Sequence, residues 1–285
     1  MLQKMDPQLE KIISLAIEED CPDGDITSEN VICSNSISSG KALAKGDYIV
    51  SGMCVAGAVY YYVDENIKFK ALVKDGTAVK KGTSLFTVKG KTSSLLLAER
   101  TVLNLVGHMT GIATKTNKLV KMVKGTRAVI LDTRKTLPGL RIIEKLAVTH
   151  GGGKNHRFSL SDAVLLKENH VAAAGGIKKA LLAFKKNKGK VKIEIEVRTL
   201  SELKEVLNSK VLPDVVMLDN MSPKETRKAV LLAKRKVKLE SSGGITEKNV
   251  KEYAEAGVDF ISLGTITHSV NNADISFLLD TVKRR

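Results

Sequence analysis

Aromatic side chains are scarce in this chain. It has no tryptophan, and aromatic residues make up 4% of its 285 positions. Single-stranded nucleic acids are held largely by bases stacked on aromatic faces, so the scarcity argues against such a partner. It does so despite a net charge of +15 and a pI near 9.6. The excess charge lies in lysine-rich stretches: KKALLAFKKNKGKVK (178–192), AKRKVK (233–238) and the terminal KRR. There the lysines alternate with apolar residues at helical spacing or fall in loops, as on solvated helix faces.

Cysteine is scarce too. Cys21, Cys33 and Cys54 are odd in number and scattered, with no CxxC or Cys/His metal spacing. That excludes a disulfide framework and a zinc site built on thiolates. No apolar run reaches the ~18 residues of a membrane span. The opening MLQKMDPQLEKIISLAIEEDC carries acids through its apolar face and reads as an amphipathic helix rather than a signal peptide. Reduced thiols in a cytoplasmic protein are therefore expected.

The apolar fraction of 43% suffices for a full core. Residues 1–20 read as a helix, followed by a polar turn. Between 40 and 90, GKALAKGDYIVSGM, IKFKALVKDG and SLFTVKG are short β-branched runs punctuated by DG and KG, which predicts an antiparallel sheet. SSLLLAERTVLNLVGHMTGIATKTNKLVKMV then carries apolar residues at three- and four-residue spacing and reads as helix. From residue 127 the pattern alternates: RAVILDTRK, DAVLLKEN, KIEIEVR, PDVVMLDN, KVKLESSGG and VDFISLGTITH are short apolar runs separated mostly by helical patterns. Alternation of this kind implies parallel βαβ units, and six in a row predict an incomplete (β/α) barrel.

Nearly every one of these strands ends on charged or glycine-rich residues. In a parallel barrel such ends converge on one mouth, where the active site lies. Arg134, Lys135, His156, Arg157 and Lys167 form a cationic set. So many cations in one mouth repel each other unless a polyanionic substrate joins them, and arginine forks bind carboxylates and phosphates bidentately. The GGG at 151–153 lets the loop carrying Asn155, His156 and Arg157 approach closely, lining a pocket for a dianion with Lys167. Glu196 and Asp219 form an acidic set that suits Mg²⁺ beside phosphates, or that serves as partners for nearby arginines. Glu194 shares a strand face with Glu196, one layer deeper, where a core ion pair is expected. SSGGIT (241–246), leading into a helix, and GTITHS (264–269) follow the last two strands, the usual phosphate position of such barrels. His268 fits either that phosphate site or a helix end. No serine or cysteine stands out as a nucleophile. A phosphoribosyl diphosphate donor with an acidic acceptor satisfies all three sets.

LDTRKTLPGLRIIEKLAVTHGGGKNHRFSLSDAVLLKENH (131–170), with KIEIEV, VVMLDN, ESSGGI, LGTITHS, EEDCPDGDITSENVI and AERTVLNL, closely resembles the quinolinate phosphoribosyltransferase family over nearly the whole chain. The resemblance implies an N-terminal α/β sandwich domain (1–112) and a C-terminal partial barrel of the type II phosphoribosyltransferase kind (113–271). It also implies a C-terminal helix, about 272–285, packed back on the first domain. The implied reaction converts quinolinate and phosphoribosyl pyrophosphate, with Mg²⁺, to nicotinate mononucleotide, pyrophosphate and CO₂ in de novo NAD biosynthesis. The implied assembly is a homodimer, open to higher oligomers, with shared active sites. Arg134, His156, Arg157, Lys167 and Arg100 from the partner would hold quinolinate. Lys135 would meet the pyrophosphate, Glu196 and Asp219 the metal and ribose, and Ser242, Gly243, Gly244, Gly264 and His268 the 5′-phosphate. Lys135, Glu196 and Asp219 would be the catalytic residues. The competing readings are a same-fold enzyme taking nicotinate or another acid, a basic nucleic-acid-binding barrel, and a purely structural barrel.

Overall fold

A computed structural model describes residues 5–185 and 190–280. Part of the 178–192 lysine stretch and the terminal KRR lie outside those residues. The chain divides into two compact units: residues 1–117, 137–152 and 269–285 in one, 118–136 and 153–268 in the other.

The first unit is built on a four-stranded antiparallel sheet. Its strands are β1 (Ile37–Ala44), β3 (Lys68–Ala71), β5 (Ser84–Lys91) and β12 (Ile275–Leu279), in the order β12-β1-β5-β3. The short strands β2 (Tyr48–Ile49) and β4 (Ala78–Val79) pair separately. Alternate residues of β1 are buried, as expected of a sheet with one covered face. Tyr60, Phe69 and Phe86 cluster in this unit with ring centroids 5.2–6.1 Å apart. Helix α1 (Pro7–Asp20) starts where Asp6 accepts the N–H of Gln8 at 2.7 Å and proline takes the first helical position. Helix α3 (Met53–Val63) follows β2, and α5 (Arg141–His150) also belongs to this unit.

One expectation changes here. In the described part of the helix predicted over 272–285, Ile275–Leu279 is instead strand β12, paired antiparallel with β1 from Gly40↔Leu279 to Ala44↔Ile275; residues 281–285 lie outside the described residues. ISFLL is a β-branched and aromatic run, and the open edge of β1 takes it as a partner. The division expected at residue 112 falls within a single 31-residue helix, α4 (Thr92–Met122).

The second unit is a six-stranded, all-parallel sheet. β6 (Val129–Leu131), β7 (Val164–Leu166), β8 (Ile193–Val197), β9 (Val215–Asp219), β10 (Lys238–Ser242) and β11 (Phe260–Ser262) lie in the order β6-β11-β10-β9-β8-β7. β7 to β11 thus sit in chain order, and β6 joins beyond β11. β6 and β7 occupy opposite edges, so the barrel is incomplete. The free edge of β6 is extended by residue 154: Lys154 donates to Ile130 O at 2.9 Å and accepts from Asp132 N at 3.2 Å.

Short, well-capped connections keep the strand ends in place. Helix α8 (Leu200–Leu207) begins with a reciprocal cap between Thr199 and Glu202, and α9 (Pro223–Ala233) with one between Ser222 and Glu225. α10 (Val250–Ala256) and α11 (Thr265–His268) complete this side. Among the described residues, no helix is long and apolar enough to cross a membrane.

Candidate active site

The carboxyl ends of all six parallel strands surround one cavity of about 600 Å³. Arg134, Lys135, His156, Arg157, Lys167, Glu196, Asp219, Ser242, Gly243, Gly244, Gly264 and His268 all line it. Every site residue expected from the sequence is therefore brought together, apart from Arg100, which is exposed on α4 of the first unit.

The cationic side rests on β6 and the loop after Gly153. Asp132, fully buried at the end of β6, accepts the backbone N–H of His156 at 2.7 Å and fixes that loop. Arg157 donates to Ala163 O at 3.0 Å, which aims its guanidinium. Burial and the neighbouring Arg134 charge both pull Arg157 below the usual arginine range. Arg134 Nε is buried without a hydrogen-bond partner. Two crowded guanidiniums, one with an unused buried donor, favour an anion between them. Lys135 is exposed, but its backbone is tied down: its N–H donates to Thr133 Oγ1 at 3.0 Å and its carbonyl accepts from Thr267 Oγ1 at 2.8 Å.

His156 differs from the open cation expected of it. Its Nδ1 accepts the Arg157 N–H at 2.8 Å, and its Nε2 lies 3.0 Å from Glu194 Oε2 and 3.7 Å from Glu240 Oε1. A nitrogen that accepts carries no proton, so this contact favours the tautomer with its proton on Nε2, facing the carboxylates. The core ion pair expected for Glu194 is thus a hydrogen bond from His156. Glu240 is almost wholly buried, and burial together with the Glu194 charge pushes its pKa up to about 8. Burial therefore favours its protonated form. These three residues are a metal-sized cluster. Glu194 Oε1 and Glu240 Oε1 are buried there without a hydrogen-bond partner.

The acidic side comprises Glu196 and Asp219 at the ends of adjacent strands β8 and β9. Burial and the Asp219 charge raise the Glu196 pKa, against the pull of Lys167 and Arg198. Arg198 places Nε 3.5 Å from Asp219 Oδ2 and Nη2 3.9 Å from Glu196 Oε1, and its Nη1 pairs with Glu168. The reading of these carboxylates as arginine partners therefore has a specific arginine behind it.

Two glycine loops face the acids. Gly243 and Gly244 follow β10 with φ of 89° and 62°. A Cβ on Gly243 would lie 2.3 Å from Asn220 Oδ1, so no larger residue fits. Gly264 follows β11, and a Cβ there would lie 2.8 Å from Lys135 Cδ and 3.0 Å from the His268 ring. The expected run of SSGGIT directly into a helix is corrected: α10 starts only at Val250, after a turn in which Thr246 N donates to Asn249 Oδ1 at 2.8 Å. Any phosphate donors here are loop N–H groups, not the first turn of that helix.

Family models for quinolinate phosphoribosyl transferase match residues 25–110 (N-terminal domain) and 112–278 (C-terminal domain). This chain belongs to the quinolinate phosphoribosyltransferase family. It is 41% identical to a carboxylating nicotinate-nucleotide pyrophosphorylase of Mycobacterium leprae over 92% of this chain and 94% of that protein. It is 40% identical to a decarboxylating quinolinate phosphoribosyltransferase of Nicotiana tabacum over 96% of this chain and 83% of that protein. A solved nicotinate-nucleotide pyrophosphorylase from Francisella tularensis superposes with a TM-score of 0.92 at 38% identity, covering 98% of each chain.

Within this quinolinate phosphoribosyltransferase fold, Arg198, Glu168, Glu240 and Asn220 were not assigned roles from the sequence. Arg198 had a usable signal, since it lies two residues beyond Glu196 and so shares its face of the strand. Glu240 had none: an acid inside an apolar strand reads as an exposed position until its burial is known.

Proposed function

We propose that this cavity joins quinolinate to the ribose of phosphoribosyl pyrophosphate, releasing pyrophosphate and CO₂ and leaving nicotinate mononucleotide for NAD biosynthesis. The observation that carries this reading is the single cavity in which a crowded guanidinium pair, an acidic pair and two glycine loops face one another. Arg134, Arg157 and Lys167 hold the two carboxylates of the acceptor. His156 accepts the Arg157 N–H and so holds that arginine's backbone in place. Ser242, Gly243, Gly244, Gly264 and His268 cradle the 5′-phosphate, and Lys135 meets the pyrophosphate.

The pyridine nitrogen is a weak nucleophile. The site holds it in line with ribose C1′ while Lys135 offsets the charge of the departing pyrophosphate. Glu196 and Asp219 face the positive charge that develops on the ribose. The adduct is a pyridinium, whose nitrogen accepts electron density as the carbon–carbon bond to the adjacent carboxylate breaks. CO₂ leaves, and the ring carbon takes a proton. The two carboxylates fit Mg²⁺, being hard oxygen donors on neighbouring strand ends beside a phosphate cradle. Bound there, the ion would neutralise pyrophosphate charge. Arg100 is assigned to the quinolinate pocket of a second copy, which makes the working form a homodimer. A cytoplasmic location, without membrane or nucleic-acid partners, completes the proposal.

The test is product formation from quinolinate, phosphoribosyl pyrophosphate and Mg²⁺, with nicotinate as the control acceptor. Nicotinate mononucleotide and CO₂ should form from quinolinate alone. Arg157→Ala should lower kcat/KM for quinolinate by about 10³-fold, as expected when one partner of a desolvated charge pair is removed. Product from nicotinate instead, or quinolinate turnover that survives Arg157→Ala, would overturn the acceptor assignment.

A further inference from the structure

We infer that Arg198 is a positioning residue that occupies the acidic pair as a resident counter-ion and competes with the divalent cation for it. The inference rests on the reading of Glu196 and Asp219 as metal ligands.

Three carboxylates from three successive strand ends surround one guanidinium. Glu168 follows β7, Glu196 ends β8 and Asp219 ends β9. The contacts are unequal. Arg198 engages Glu168 closely through Nη1, but stands 3.5 Å from Asp219 and 3.9 Å from Glu196. Its backbone is fixed as well, the N–H donating to Glu202 Oε2 at 2.6 Å just before α8. Glu168 thus anchors the arginine at the rim of the acidic pair without letting it settle there. The side chain is about half exposed, so it has room to move.

The charges make the case. Glu168, Glu196 and Asp219 carry three negative charges, while Arg198 and Lys167 carry two positive ones. With Arg198 in place, a bare dication gains little from the remaining excess of one negative charge. A dication that arrives with the donor's pyrophosphate brings its own anions and can displace the guanidinium toward Glu168. Arg198 therefore weakens metal binding to the empty site more than to the donor-bound site. Glu168 sets how far the arginine leans on the acids.

The experiment measures Mn²⁺ binding by electron paramagnetic resonance on the full chain, with and without phosphoribosyl pyrophosphate. Arg198→Met should bind Mn²⁺ about tenfold more tightly than the unmodified protein when the donor is absent, with a smaller gain when it is present. Glu168→Gln, which releases the arginine onto the acidic pair, should bind Mn²⁺ more weakly in the donor-free state. A merely structural role for Arg198 predicts no gain in affinity. Unchanged or weakened Mn²⁺ binding by a folded Arg198→Met overturns the inference. If that variant fails to fold, Glu168→Gln decides alone, and unchanged binding there overturns it. Glu196→Gln with the donor present separates the two claims. If that variant binds Mn²⁺ as the unmodified protein does, the metal-ligand reading is wrong and the inference falls with it. If Glu196→Gln loses binding while Arg198→Met gains none, only the inference falls.

Discussion

Each unit buries one histidine against a glutamate, and the two pairs differ in chemistry. In the first unit His108 Nε2 lies 2.9 Å from Glu144 Oε1 and its Nδ1 lies 3.1 Å from Asn272 Oδ1. Both nitrogens face oxygen atoms. In the second unit His156 Nε2 lies 3.0 Å from Glu194, but its Nδ1 faces a backbone N–H. That setting favours the neutral ring. The second ring nitrogen meets an oxygen atom in one pair and a backbone donor in the other. The first pair holds α4 to α5. The second holds the loop that carries Arg157. A buried His–Glu contact therefore says little about function until the other ring nitrogen has been accounted for.

The largest test of this contrast is Glu144→Gln. Glu144 is fully buried, so the substitution puts an amide where a carboxylate oxygen meets His108 Nε2. Unfolding free energy should fall by about 3 kcal/mol, as for other broken buried pairs, with KM for both substrates unchanged. Urea denaturation and steady-state kinetics read the two effects separately. A rise in KM would erase the distinction between strut and site.

His156→Asn probes the other pair and should show the opposite profile. A misaimed Arg157 should raise KM for quinolinate by about a hundredfold. The loss of stability should be smaller than for Glu144→Gln. If His156→Asn is the less stable variant and keeps its KM, the assignment of the two pairs is reversed.

The smallest and most specific effect belongs to Glu240. Its pKa rises from the ordinary 4.5 to about 8 in the folded protein, where Glu194, His156 and Asp132 face it. The folded state therefore holds a proton that the unfolded chain has released, and stability falls as pH climbs through that window. Glu240→Gln is neutral at every pH and should flatten the slope. Its stability relative to the unmodified protein should improve steadily as pH rises from about 5 to about 8, read by urea denaturation. Parallel pH profiles would mean that Glu240 is ionised in the fold.

The parallel half of the molecule was plain in the sequence, because each strand is a short apolar run ending on a chemically distinctive residue. RAVILDTRK and PDVVMLDN announce both the strand and what its end carries. The C-terminal strand was not plain. ISFLL is too short for periodicity to separate strand from helix, and its pairing partner lies more than two hundred positions away. The membership of the cavity was also readable, since parallel strands place their ends together. The state of its members was not. The tautomer of His156, the raised pKa of Glu240 and the lean of Arg198 depend on contacts between strands that are distant in the chain. Arg100 carries no local signal at all and enters only through family resemblance.

The placement of β12 and β11 has a consequence for synthesis on the ribosome. β1 is made more than two hundred residues before β12, one of its two partners. β6 likewise waits for β11, its one strand partner in the sheet. Neither sheet can be completed until a segment made long after its first strand has emerged, so the growing chain exposes open strand edges in the meantime. Pairing between such distant segments is slow, and bare edges invite association with other chains. A ribosome that stalls shortly before residue 275 would release a chain with almost every site residue present and one sheet unfinished, a natural target for chaperones and proteases.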